Sequence, residues 1–382
     1  MRAIVSILMA CAVSACSLAQ PQGQTPYAPS SGMSAVLREH RAMRARPLAD
    51  LPPERAREVP TLSDAMRAIP NVRGLPAGTT DVPQVRDVVA SGAAGALAAR
   101  LYRPVLAKDT PAIVFFPGGT WVTGSLDEAN ASARELSSRT GWVVVVVRTR
   151  LAPEATFPAA HDDALAAYQW ARGQLRSWGA DPTRLALAGE GVGANLALST
   201  ALAARDRGVA EPDHLLLITP LAGTSLRGVS MSESGDSRPL TRSTVRWAQD
   251  LYAPEYGQQT DKRIDLVSRP DLAGLPPVTV ILAEIDPLRS GGEALAARLE
   301  EAGALRAGAP GVGTAAPGIR TEARLFPGTT HGFFGLGAAV PEAAAAEDYA
   351  AARLRAAFVR PALPVLAGPI RSFRPSRRSV RR

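Results

Sequence analysis

Cysteine is almost missing from this sequence, and the two present, Cys11 and Cys16, both lie within the first twenty residues. The folded part therefore keeps no thiol and no disulfide, and its stability must come from a buried core. Histidine is scarce too: of His40, His161, His214 and His331, the first three show no ligand-like spacing and read as surface or helix residues. That pattern predicts neither a metal site nor a cofactor. The apolar run from Ala3 to Val13 is too short to span a bilayer as a helix. A distributed excess of positive charge is lacking as well. The net charge is +8, but Arg371, Arg374, Arg377, Arg378, Arg381 and Arg382 supply most of it from the extreme C-terminus, leaving 37 basic against 35 acidic residues. A nucleic-acid groove spreads its positive charge over a folded face, so nucleic acid is excluded as a partner. Internal repeats, the mark of solenoids and arrays, are absent.

What is present, 382 residues of which 46% are hydrophobic and 20% charged, suffices for one large core or two modest ones. The start reads as an export signal over residues 1–19: Met1-Arg2, an apolar middle, then small residues. Val13-Ser14-Ala15-Cys16 resembles a lipobox, which predicts acylation at Cys16 and a lipid anchor in a membrane facing the periplasm. Ordinary cleavage after Ala19, giving a secreted protein, is the other reading. Residues 20–34, rich in Gln, Pro, Ser and Gly, read as a flexible tether. Between Met33 and Ile69 runs a helical pattern broken at Pro52 and Pro53, with a second short helix around Ser63-Asp64-Ala65-Met66. Residues 361–382 form a basic tail, read as solvated and disordered.

Beyond Pro83 short apolar runs alternate with helical patterns. The runs are Val85 to Ala90, Ala96 to Tyr102, Ala112 to Phe116, Trp142 to Val147, Leu185 to Ala188, Leu215 to Thr219, Val278 to Ala283 and Ala323 to Phe326. Their near-continuous Val, Ile, Leu and Phe content predicts strands covered on both faces. Leu165, Tyr168, Ala171, Leu175 and Trp178 make one apolar helical stripe, ended by Asp181-Pro182. Asp162 and Asp163 sit where carboxylates favour a helix N-terminus and need no further role. The alternation predicts an α/β fold: a mostly parallel sheet of eight strands, helices on both faces, and an antiparallel start where the first two strands follow each other directly. Two stretches interrupt it. One is Ala222 to Pro276, long enough for further helices; the other is the Gly/Ala/Pro-rich Arg306 to Ile319, read as a surface loop.

In such a sheet the chemistry lies beyond the carboxyl ends of the strands. Three of those ends stand out: Gly189-Glu190-Gly191-Val192-Gly193-Ala194-Asn195, Glu284-Ile285-Asp286-Pro287, and Pro327-Gly328-Thr329-Thr330-His331-Gly332. Together with Arg150-Leu151-Ala152-Pro153-Glu154, Phe157-Pro158-Ala159-Ala160, Asp163-Ala164-Leu165 and Leu272-Ala273-Gly274-Leu275-Pro276-Pro277, they make the chain resemble the hormone-sensitive-lipase-like carboxylesterases over roughly Leu51 to Val359. The resemblance implies an α/β-hydrolase domain over 83–360, cap helices over 35–82, and a cap insertion within 222–276. It assigns Asp286 as the acid and His331 as the base of a Ser-Asp-His triad. Gly191 stands where that family carries its serine. The oxyanion site falls on Gly118, Gly119 and Thr120, with the backbone N–H of Val192. This chain departs from the family's pattern at Pro117, which replaces a His, at β-branched Thr120, and at Arg148-Thr149, where Asp-Tyr is usual.

Without a hydroxyl at 191 no acyl-enzyme forms. The resulting expectation is a protein of esterase descent, inactive or weakly active on carboxylic esters, that binds a small apolar or ester-type ligand. The alternative is a hydrolase in which His331, held by Asp286, activates water. Gly at an elbow also has a structural reading, since it accepts φ > 0 without strain. Glu190 is expected to point away from the site, as the residue before the nucleophile normally does.

Overall fold

A computed structural model of the chain describes residues 26–70, 72, 82–105, 108–307 and 321–358. The expected leader with Cys16, the first six residues of the expected tether and the Arg-rich tail lie outside the described residues; the tether does not reach Ser34, since Ser31–Ala42 is helical and Met33 is fully buried. All eight apolar runs are strands: β1 (Gln84–Gly92), β2 (Gly95–Arg103), β3 (Thr110–Phe116), β4 (Val143–Val147), β5 (Ala180–Glu190), β6 (His214–Ile218), β7 (Val278–Ile285) and β8 (Glu322–Thr330). They form one sheet in the order β1-β2-β4-β3-β5-β6-β7-β8. β2 pairs antiparallel with both β1 and β4, and every other pairing is parallel. This is the α/β-hydrolase fold.

Side chains alternate across a strand, so a sheet covered on both faces needs apolar residues at successive positions. Val143 to Val147 meet that need with five valines, none of them exposed. One face, with Val114, Phe116, Val145 and Leu187, packs on α5 (Ala159–Gln174) and α6 (Val192–Asp206). The other, with Ile113, Phe115, Val146 and Ala188, packs on α4 (Asn130–Thr140) and α10 (Pro341–Ala357). The N-terminal helices α1 (Ser31–Ala42) and α3 (Leu62–Ala68) add to this second core, with the short α2 (Pro53–Ala56) between them in the chain. Within the 222–276 stretch lie α7 (Val229–Glu233) and α8 (Arg242–Tyr252), and α9 (Arg289–Ala307) follows β7.

Local chemistry accounts for the boundaries. The α3 N-terminus is a capping box, Thr61 accepting from the Asp64 N–H while the Asp64 carboxylate accepts from the Thr61 N–H. Pro53 begins α2 as well as interrupting the helical pattern, because the missing N–H costs nothing at a first helical position. α5 does not run to Asp181-Pro182. It ends at Gln174, a single 3-10 turn follows, and Gly179 at φ 79° terminates it; Asp181 and Pro182 already belong to β5. The loop expected from Arg306 begins later, since Arg306 and Ala307 complete α9 and the rest lies outside the described residues.

Candidate functional site

Four strand ends converge at one place. β5 runs into Gly191 and then directly into α6, a sharp strand-to-helix turn with Gly191 at φ 55° and ψ −115°. The close approach of α6 to β3 dictates Gly193: a Cβ there would lie 2.1 Å from the Phe116 carbonyl oxygen. Gly191 is different in kind. A Cβ on it would meet His331 Nε2 at 3.3 Å and Cε1 at 3.4 Å, a tight contact with the far end of a side chain rather than with backbone, so the imidazole packs against the glycine and would have to yield by a few tenths of an ångström.

β7 ends just before Asp286, which is 1% exposed, and β8 just before His331. His331 Nδ1 donates to Asp286 Oδ2 at 2.9 Å, and Asp286 Oδ1 accepts from the Leu288 N–H at 2.8 Å. That fixes the tautomer and aims the Nε2 lone pair at the Gly191 position. Burial disfavours the imidazolium, but the Asp286 charge and hydrogen bond outweigh it and hold His331 above the usual histidine range.

β3 leads into Pro117-Gly118-Gly119-Thr120-Trp121. Gly119 at φ 104° has no room for a side chain, since a Cβ would lie 2.4 Å from the Thr123 carbonyl oxygen. The Thr120 hydroxyl lies 3.2 Å from that of Thr123 and accepts from the Thr123 N–H at 3.3 Å, so its added bulk is tied into the loop. Among the described residues, the N–H groups of Gly119, Thr120 and Val192 make no backbone hydrogen bond. They remain available to a ligand's oxygen. Trp121, at φ 60°, stacks on Tyr252 with ring centroids 4.5 Å apart.

The histidines differ from the sequence expectation. His161 is buried on α5 at the centre of a hub: its Nδ1 accepts from the Tyr252 hydroxyl at 2.7 Å, and its Nε2–H faces Asn195 Oδ1 and the Arg263 carbonyl, both at 3.1 Å. Burial pulls it down to about 4, so it is neutral. The hub joins the Trp121 loop to α6 through partners 34 to 102 residues away, a separation that leaves no local signal. His214 is a fully buried strand residue of β6, its Nε2 3.0 Å from Thr279 Oγ1. His40, also buried, donates from Nε2 to the Pro60 carbonyl at 2.8 Å. Asp163 does more than favour a helix start: fully buried, it pairs with Arg150 at 2.8 Å and accepts the Ala93 N–H at 3.0 Å.

Glu190 departs most from expectation. It does not point away; it lines the same cavity as His331, its methylenes packed beside Gly118 at an ordinary 3.5 Å from a would-be Cβ. Burial pushes Glu190 up to about 7, against the pull of His331 and with added repulsion from Glu128 and Asp286. Glu128 lines the cavity too, and burial likewise raises it against His331. The cavity measures about 320 Å³ and is walled by Gly118, Gly119 and Thr120 on one side and by Leu62, Leu240, Phe334 and Leu336 elsewhere, with Arg148 exposed on its lining. Val192 faces a smaller neighbouring space with Pro117 and Trp121. Among the described residues no group of His, Cys, Asp and Glu side chains could hold a metal ion.

Comparison with known proteins agrees with this geometry. A family model described as the alpha/beta hydrolase fold matches residues 113–307. An ethyl acetate hydrolase of Pseudomonas putida is 32% identical over 289 residues, covering 73% of this chain and 85% of that protein. A carboxylesterase of Mycobacterium tuberculosis is 32% identical over 263 residues, 68% of this chain and 78% of its own length. The hyperthermophilic esterase from the archaeon Pyrobaculum calidifontis superposes with a TM-score of 0.74 at 29% identity, covering 86% of this chain and 98% of that one.

Proposed function

The chain belongs to the α/β-hydrolase family of carboxylesterases, and on that premise we propose that it keeps the esterase cavity for a small apolar or ester-type ligand while lacking the acyl-enzyme route. One observation carries the proposal: the residue faced by His331 Nε2, 3.3 Å from where its Cβ would stand, is a glycine. His331 has no hydroxyl proton to take from residue 191, and no covalent ester intermediate forms there. A ligand carbonyl placed under Gly119 and Thr120 still meets unused N–H donors. Pro117, Thr120 and Arg148 depart from the esterase pattern around the same cavity, which fits a change of use better than one isolated substitution. A second reading, slow hydrolysis by water, is favoured by the His331 imidazole that Asp286 keeps turned toward Gly191.

The test pairs the natural chain with Gly191→Ser. The natural chain is expected to stay unlabelled by a fluorophosphonate and to turn over p-nitrophenyl acetate near background. Gly191→Ser is expected to become labelled and to gain on the order of 10²-fold or more, since it restores the missing member of the triad. The backbone at φ 55° makes that serine strained, at roughly 1–3 kcal/mol of stability. Strong, fluorophosphonate-sensitive turnover by the natural chain overturns the proposal. Residual hydrolysis lost in His331→Ala supports the water route, and hydrolysis that survives it excludes that route. The same proposal includes export and a lipid anchor at Cys16, based on the lipobox-like Val13-Ser14-Ala15-Cys16.

A further inference from the structure

The cavity's charges are sorted by position. Glu128 and Glu190 line it beside His331, whereas Arg46, Arg57, Arg148 and Arg238 line it from exposed positions. Arg57 is committed: it donates to the Val122 and Ala152 carbonyls at 2.9 and 2.8 Å and grips both Glu154 oxygens at 2.8 and 2.6 Å. Among the described residues, the side chains of Arg46, Arg148 and Arg238 make no hydrogen bond or ion pair. Scattered over a convex surface such groups serve solubility. Three of them on the lining of one concave opening add positive potential at its exposed wall. At position 148 the esterase pattern has Asp, so the charge on that wall is reversed in sign.

Guanidinium groups match carboxylates in a planar, bidentate fashion. The inner wall offers no such match to an anion, because Glu128 and Glu190 stand there as acids, and its N–H donors at Gly119 and Thr120 suit a neutral carbonyl. We infer that the cavity selects a ligand with a neutral acyl or ester group at one end and a carboxylate at the other, the carboxylate held by Arg148 and Arg238 with Arg46 nearby. A monoester of a short dicarboxylic acid is the simplest member of that class, and it fits a space of about 320 Å³. The inference rests on the ligand-binding reading above and adds the chemical class of the ligand.

Calorimetric titration of the full chain with monoethyl adipate and with neutral diethyl adipate tests it. The monoester is expected to bind at least about tenfold tighter at low salt, with the advantage shrinking toward about 0.15 M salt. The double variant Arg148→Glu/Arg238→Glu is expected to abolish the preference. Arg176→Glu/Arg207→Glu changes the net charge equally at exposed residues outside the lining and is expected to keep it. The first comparison needs no variant, so a misfolded mutant does not shelter the idea. Equal affinity for the two esters, or a preference that survives in the Arg148/Arg238 variant, overturns the inference. Binding of the diester alone overturns it while leaving the ligand-binding reading standing, and binding of neither overturns both.

Discussion

Glu190 sits one residue from Gly191, and its ionisation ties the site to the stability of the whole domain. Its carboxyl is raised from the usual 4.5 to about 7, chiefly by burial. A group whose folded pKa lies above its unfolded value adds stability that is fully present below the unfolded value and is lost as pH rises through the folded one. For Glu190 that window runs from about 4.5 to about 7. Glu190→Gln keeps the shape and removes the charge. The variant is expected to melt at about the natural temperature at pH 5 and above it at pH 8, a difference read by thermal scans in matched buffers. A difference that is constant across that range would show that the Glu190 carboxyl is not raised. The residues that take part in this electrostatic group were unequally legible in the sequence. Asp286, His331 and the elbow stand directly after apolar runs, in the order a triad requires, so position along the chain betrays them. Glu190 and His161 give no such sign. Whether a side chain beside a tight turn faces inward depends on the segment packed against it, here the loop at Gly118, and that loop is more than 70 residues away.

At the scale of elements, the strands were legible because a sheet buried on both faces must be apolar without alternation, as β4 is. Less legible were the contacts that lock helices to each other, which run through charges. Arg139 on α4 donates to Glu135 and Glu347 at 2.9 Å each and also pairs with Asp348, while Glu347 on α10 accepts the N–H groups of Gly335 and Gly337 at 3.1 Å. Glu135 and Glu347 are 1% and 0% exposed, and burial together with Glu135 pushes Glu347 up to about 8. The network fixes the turn that follows His331, so a helix far from the cavity helps to place the imidazole's segment. Removing one partner from a buried ionic group leaves the others uncompensated, at a cost of roughly 3–5 kcal/mol. Arg139→Met is therefore expected to lose about that much in urea unfolding, and adding Glu347→Gln to recover part of it. A loss under about 1 kcal/mol would mean that solvent already screens the cluster.

The whole molecule has a direction relative to its N-terminus. Tyr27 lies under the Arg289 guanidinium, 4.9 Å from its ring centroid, and the Ser30 N–H donates to the Gly328 carbonyl at 2.9 Å. Arg289 follows β7 and Gly328 is near the end of β8, so the described chain enters the fold on the side of the sheet from which Asp286 and His331 emerge. Residues 17–26 span at most about 36 Å when fully extended. An acyl chain on Cys16 would thus hold the carboxyl-end face, with its cavity, within a few tens of ångströms of the bilayer. One acyl chain alone gives only marginal membrane binding, and a lipoprotein's several chains give a stable anchor. Two outcomes follow for the protein expressed with its own leader in a bacterial host. The natural chain is expected in the membrane fraction and to resist extraction by salt, because the attachment is apolar. Cys16→Ser is expected to shift it to the soluble exported fraction with its thermal stability unchanged, since the substitution alters no contact among the described residues. Retention of the Cys16→Ser protein in the membrane would assign the attachment to something other than this cysteine, and a natural chain found soluble would favour cleavage after Ala19 and free secretion.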